Sequence, residues 1–285
     1  DISIKEIERI NSILLIDSDI TNEQPILSHK IRKAFLNKAK INSIYTYNYK
    51  YNFDTNNSLL VNPNSLVETL IDIIEYLTVI TVNDKKLQKF NLPNGIKKKF
   101  KGLTNKKIID ISNDLLISNS LILLGSNLVN HQDFELCKVL TNIISILTKS
   151  KKGFLNNSCN EAGARIAGCL PNKSAGFLDV KNIGLNASDS INEGMECYMI
   201  YNLDLIDFYH YSELKKSLSN AKFVLGFQSF VTEEDKNYYD VILPLATVFE
   251  SPGTFINIEG QWQSFAQGCK PHFMSKEGWK ILTKQ

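Results

Sequence analysis

The chain has 285 residues, 43% of them hydrophobic and 22% charged, with 32 Lys and Arg against 30 Asp and Glu. This length and balance describe a globular chain able to bury roughly two domains at about 150 residues each. They argue against a nucleic-acid-binding stripe, because the only basic clusters, residues 97–101 and 149–152, read as solvated connectors.

No apolar run approaches the roughly 20 residues of a membrane span, and no signal-peptide pattern opens the chain, so contact with a membrane is expected only through partners. Residue 1 is Asp, not Met, which reads as a segment of a longer or processed protein. Cys137, Cys159, Cys169, Cys197 and Cys269 are scattered, with no C-x-x-C pair. Such spacing suggests reduced core thiols and argues against an iron-sulfur or zinc site built from this segment. His29, His131, His210 and His272 are equally dispersed, without acidic or cysteine neighbours at ligand spacing.

In chain order, residues 13–16 (Ile-Leu-Leu-Ile) form a continuous apolar run of strand length, the pattern of a parallel strand buried on both faces. Asp17, Ser18 and Asp19 make a polar turn, and Pro25 suits the first turn of a helix carrying Ile26, Leu27, Ile31, Ala34 and Phe35. A second strand begins at Lys40 and runs into a polar, Asn-rich loop. Ser65 then opens an amphipathic helix with Leu66, Leu70, Ile73, Ile74 and Leu77 on one side. Residues 83–107, rich in Lys and Asn with Pro93, Gly95 and Gly102, read as a connector between two lobes, residues 1–82 and 108–285.

The pattern restarts at residues 120–127, Ser-Leu-Ile-Leu-Leu-Gly-Ser-Asn, which parallels residues 12–19 and leads into a helix over 134–147. Recurrence of strand, polar turn and helix is what stacked α/β units produce, with polar loops gathered at the strands' carboxyl ends. Gly125, Ser126 and Asn127 would face a phosphate in a nucleotide-binding protein. One glycine is far from a G-x-G-x-x-G fingerprint, so the turn reads as structural. Residues 154–171 are rich in small side chains, among them Ala162, Gly163, Ala164, Ala167 and Gly168. They allow close backbone approach to a ligand or to a packed layer, with packing the expected use. Further strands follow at 196–201 and 223–231 around a helix at 211–218.

The last strand, residues 241–243, is stopped by Pro244, which cannot donate to a sheet ladder. Glu250 precedes Ser-Pro-Gly-Thr, a tight-turn composition. By local chemistry alone, residues 250–260 are an exposed turn at a strand's end.

These stretches together, residues 13–32, 123–127, 160–171, 240–247 and 253–260, resemble the molybdopterin oxidoreductase superfamily. The stretch 160–171 and the tail from Gln263 to Lys270-Pro271 and Trp279 narrow the likeness to the large iron-sulfur G subunits of bacterial NADH-quinone oxidoreductase. The resemblance implies an α/β fold of Rossmann-like lobes with mostly parallel sheets. It implies an assembled enzyme that passes electrons from NADH through flavin and iron-sulfur clusters to quinone, coupled to proton translocation.

This segment would be scaffold, with no catalytic residue and no metal ligand of its own. The iron-sulfur clusters (4Fe-4S and 2Fe-2S) would lie in an N-terminal part outside it. Its partners would be the other subunits of the peripheral arm, on the cytoplasmic face of the bacterial inner membrane. Glu250, Gly253, Thr254, Asn257, Glu259 and Gly260 would be the vestige of a pterin site. Where the family motif runs Asn-x-Glu-Gly-Arg, this chain has Gln261, losing a guanidinium suited to bidentate anion binding. The alternatives are the central and C-terminal lobes of a catalytic molybdenum-pterin enzyme such as a formate dehydrogenase, and a free-standing nucleotide-binding module.

Overall fold

The computed structural model describes residues 2–81 and 105–283, which form two compact units, residues 1–158 and 159–285. In the first unit the order is β1 (Ser12–Ile16), α1 (Ile20–Glu23), α2 (Pro25–Leu36), β2 (Lys40–Tyr45), β3 (Asn57–Leu60), α3 (Leu66–Thr81), α4 (Lys106–Leu115), β4 (Ser120–Leu124), α5 (Phe134–Thr148) and β5 (Lys151–Phe154). All five strands are parallel, in the order β3-β2-β1-β4-β5.

The continuous apolar runs have their physical reason here, since β1 and β4 are buried at every position. Leu14, Ile16, Ile122 and Leu124 point into a core built with Leu66, Leu70, Ile73, Ile74 and Leu77 of α3, Ile108 and Ile111 of α4, and Leu140 and Ile144 of α5. Ile13, Leu15, Leu121 and Leu123 point the other way, onto Leu27, Ile31 and Ala34 of α2. Each side chain so buried contributes about 1.5–3 kcal/mol relative to exposure.

The second unit contains α6 (Glu161–Ala167), β6 (Lys173–Ser174), β7 (Leu178–Asp179), α7 (Ala187–Glu193), β8 (Cys197–Tyr201), α8 (Tyr211–Asn220), β9 (Phe223–Gln228), β10 (Val241–Pro244), β11 (Gly253–Ile256), β12 (Trp262–Phe265) and α9 (Gly278–Leu282). Strands β10-β9-β8 form a parallel sheet, while β11 and β12 pair as an antiparallel hairpin. One face of the parallel sheet carries Ile200 and Val224, packed on Leu214 and Leu218 of α8.

Several expectations need correction. The lobes do not divide at residues 83–107, most of which lie outside the described residues: β4 pairs with β1 along its whole length, so residues 105–158 complete the first sheet. The Asn-rich loop contains β3, and the basic residues 151 and 152 belong to the edge strand β5, where lysine is well placed. The strands expected at 196–201, 223–231 and 241–243 form and are parallel, but only β9 is largely buried: Met199 of β8 is 61% exposed, and β10 has no buried residue, with Val241 40% exposed. Of the five cysteines only Cys137 is a core thiol; the other four are exposed. Residues 250–260 are more than a turn, since residues 253–256 form a strand of the hairpin.

Candidate functional site: the strand ends and the C-terminal hairpin

In the first sheet the strand order reverses between β1 and β4, and the crevice of an open α/β sheet lies at such a point, at the strands' carboxyl ends. Here the two strand ends lie close together. Gly125 N donates to Ile16 O at 2.7 Å. A Cβ on Gly125 would lie 1.9 Å from the carbonyl oxygen of Asp17, so only glycine lets the two strand ends approach this closely.

Asp17, buried and in the left-handed region at φ 46°, accepts three hydrogen bonds on Oδ1: from Thr46 N at 2.9 Å, Thr46 Oγ1 at 2.8 Å and the Tyr49 hydroxyl at 3.3 Å. Asn127 Nδ2 donates to the Tyr49 hydroxyl at 2.9 Å, and Ser126 Oγ donates to the Glu23 carboxylate. The Tyr51 hydroxyl closes the outer side by donating to Ser18 O at 3.0 Å. Burial, and then the Asp17 charge, push the Tyr49 hydroxyl up to about 12, and burial raises Tyr51 as well. Both phenols therefore stay protonated donors at neutral pH.

Of this cluster the sequence reading singled out Asp17, Ser18, Ser126 and Asn127, but missed Glu23, Tyr49 and Tyr51. A signal existed: Tyr45, Tyr47, Tyr49, Tyr51 and Phe53 alternate with period two from the last residue of β2 onward, which is more order than a polar loop requires.

In the second unit the structure places the predicted residues in and beside the hairpin. Glu250 Oε2 accepts from Thr247 N at 2.9 Å and from Thr247 Oγ1 at 3.0 Å in a capping box, and Oε1 accepts from His272 N at 3.1 Å. These donors, Thr247's first, hold its carboxyl below the usual glutamate range. Gly253 faces the ring of Phe265, which lies 2.7 Å from where a Cβ would sit. Thr254 Oγ1 and Ser264 Oγ share a hydrogen bond of 2.9 Å across the hairpin.

Asn257 Oδ1 accepts from Glu259 N and Gln261 N, both at 2.9 Å, and Gly260 takes the left-handed φ of 77° that the turn needs. The Gln261 side chain is exposed and takes part in no hydrogen bond among the described residues. One partner was not predicted: Asn160 Oδ1 accepts from Ile256 N at 2.9 Å and so ties the small-residue stretch to β11. A Cβ on Gly163 would meet that oxygen at 2.1 Å, which accounts for one of the small residues by packing.

Two α/β units with parallel sheets, and polar loops at the carboxyl ends of their strands, define a doubly wound class of protein in which function sits at those ends. The chain matches the family model for molybdopterin oxidoreductase over residues 2–284 and belongs to that family. It is 26% identical over 308 residues to the G subunit of NADH-quinone oxidoreductase from Buchnera aphidicola subsp. Schizaphis graminum, covering 99% of this chain and 32% of that protein. It is 24% identical over 326 residues to the F420-dependent formate dehydrogenase subunit alpha of Methanocaldococcus jannaschii, covering 99% and 48%. The chain therefore spans less than half the length of these relatives. Among solved structures, acetylene hydratase from Pelobacter acetylenicus superposes with a TM-score of 0.60 at 12% identity, over 98% of this chain and 49% of that one. This last likeness concerns the fold alone.

The family's name implies a molybdenum-pterin cofactor, whose dinucleotide form is anionic, and the residues described above do not fit it. At the first sheet's strand ends Asp17 and Glu23 present carboxylates, and the donors Thr46, Tyr49 and Ser126 are spent on them. In the hairpin the oxygens of Glu250 and Asn257 are spent on this chain's own backbone. Among the described residues no group of three or more His, Cys, Asp or Glu is placed to hold a metal ion, and no helix is long and apolar enough to cross a membrane.

Proposed function

We propose that the chain is a scaffold portion of the large subunit of an NADH-quinone oxidoreductase, an enzyme that moves electrons from NADH through flavin and iron-sulfur clusters to quinone with proton translocation. The observation that carries this reading is the closed polar network at Asp17, where donors that could bind an anionic cofactor bind the chain's own carboxylates. Glu250, Gly253, Thr254, Asn257, Glu259 and Gly260 then serve the hairpin's own structure, and the segment carries neither catalytic residue nor metal ligand. The full subunit holds its iron-sulfur clusters elsewhere. Its partners are the other subunits of the peripheral arm, which carry it to the cytoplasmic face of the bacterial inner membrane.

The likeness to a formate dehydrogenase alpha subunit supports a second reading, a catalytic molybdenum-pterin oxidoreductase. Elemental analysis of the purified full-length protein separates the two. Iron without molybdenum or tungsten is the expected result, and about one molybdenum or tungsten atom per polypeptide would overturn the scaffold reading.

A further inference from the structure

At the carboxyl ends of β8 and β9, on the second unit alone, lies a cavity of about 130 Å³ lined by Leu203, Asp204, Gln228, Thr232, Asp235 and Tyr239, with Phe230 also on its wall. A space of this size suits a small head group and would not admit a dinucleotide. Asp235 is 6% exposed, and its carboxylate has no hydrogen bond or ion pair with any described residue. The contrast with its neighbours is sharp. Glu233 is paired with Lys236 and Glu234 with Lys215, whereas Asp235 has no cation among the described residues.

Asp235 lines the cavity, and a second acidic residue, Asp204, lines the same space, with its Oδ1 accepting a hydrogen bond from Ile206 N at 3.4 Å. The Gln228 amide is already directed, donating to Leu203 O at 3.1 Å and to the Tyr239 hydroxyl at 2.8 Å. The ring of Phe230 is 84% exposed at the edge of the cavity.

Carboxylates beside a free aromatic face form the environment that a guanidinium fills, since it forks onto the one and stacks on the other. A neutral nucleobase would leave both negative charges uncompensated. We propose that this pocket receives the guanidinium of an arginine presented by another polypeptide. Which polypeptide rests on the reading of the chain as a subunit; the chemistry of the pocket does not.

The test is calorimetric titration of the whole chain with N-acetyl-arginine methylamide, with the Gln228 side-chain amide followed by NMR to locate binding. Saturable one-to-one binding is expected, weakened about tenfold by Asp235→Asn through loss of the charge-assisted bond and about threefold by Phe230→Ala through loss of stacking. Neither substitution removes a group that the fold uses, because the Asp235 carboxylate bonds to no described residue and the Phe230 ring is exposed. The proposal is overturned by absence of saturable binding, by equal affinity for N-acetyl-lysine methylamide, by tighter binding of guanosine, or by indifference to Asp235→Asn. Any of these would leave the scaffold reading standing, since that reading depends on the metal content of the full-length protein.

Discussion

Asn160 shows how much one side chain can organise. Its Oδ1 accepts from Ile256 N, and Gly163 leaves it room to do so. Gly163→Ala in a helix would ordinarily add about 0.5–1 kcal/mol. Here the new methyl must displace the Asn160 oxygen, which strands the part-buried Ile256 N–H at a cost of about 1–3 kcal/mol. Urea unfolding should therefore show Gly163→Ala as destabilising, and the double variant with Asn160→Ala as less destabilised than the sum of the singles. Additive singles would disprove the link.

Glu250 supplies a second check at this scale. Its carboxyl is lowered in the folded chain, so its contribution is present above the ordinary glutamate range and is lost only as pH falls through the depressed value. The amide resonances of Thr247 and His272 should shift together below that range, and Glu250→Gln should abolish the shift. The motif around Glu250 and Asn257 was legible in the sequence because its turn residues are local. The role of Asn160 was not, because its partner is 96 residues away.

At the scale of elements, legibility followed burial. β1 and β4 are buried on both faces and stand out as unbroken apolar runs. β3 and β5 are edge strands with mixed patterns, Asn-Ser-Leu-Leu and Lys-Lys-Gly-Phe, and the sequence reading passed over them for that reason. The same logic explains β8, whose alternation of Tyr198 and Ile200 with the exposed Cys197, Met199 and Tyr201 marks a sheet covered on one side. The approach of β1 to β4 carries its own prediction. Gly125→Ala would place a methyl 1.9 Å from backbone, which cannot swing aside as a side chain can. The strand ends would have to part and the Asp17 network would loosen. The expected cost is about 1–3 kcal/mol or more, as for overpacked cores, read as a lowered urea midpoint with an unchanged slope. An unchanged midpoint would show that the strand ends are free to separate.

For the whole molecule the question is where the chain divides. Composition pointed to residues 83–107, because lysine, asparagine, proline and glycine concentrate there. Hydrogen bonding points to 158 and 159, because β1 is the central strand of a sheet whose other half, β4 and β5, lies beyond that stretch. The two divisions make opposite predictions for fragments. A fragment of residues 1–82 would keep β1, β2 and β3 but lose the partner of β1, and it would leave Leu14, Ile16 and the apolar side of α3 without α4 and α5 to cover them. A fragment of residues 1–158 keeps both layers of helices and every strand of the sheet. Circular dichroism during urea unfolding should therefore give one cooperative transition for residues 1–158 and none for residues 1–82, since a sheet with an uncovered face and an open central edge cannot offset the conformational entropy of ordering it, about 1–2 kcal/mol per residue. Cooperative folding of residues 1–82 alone would return the boundary to the connector.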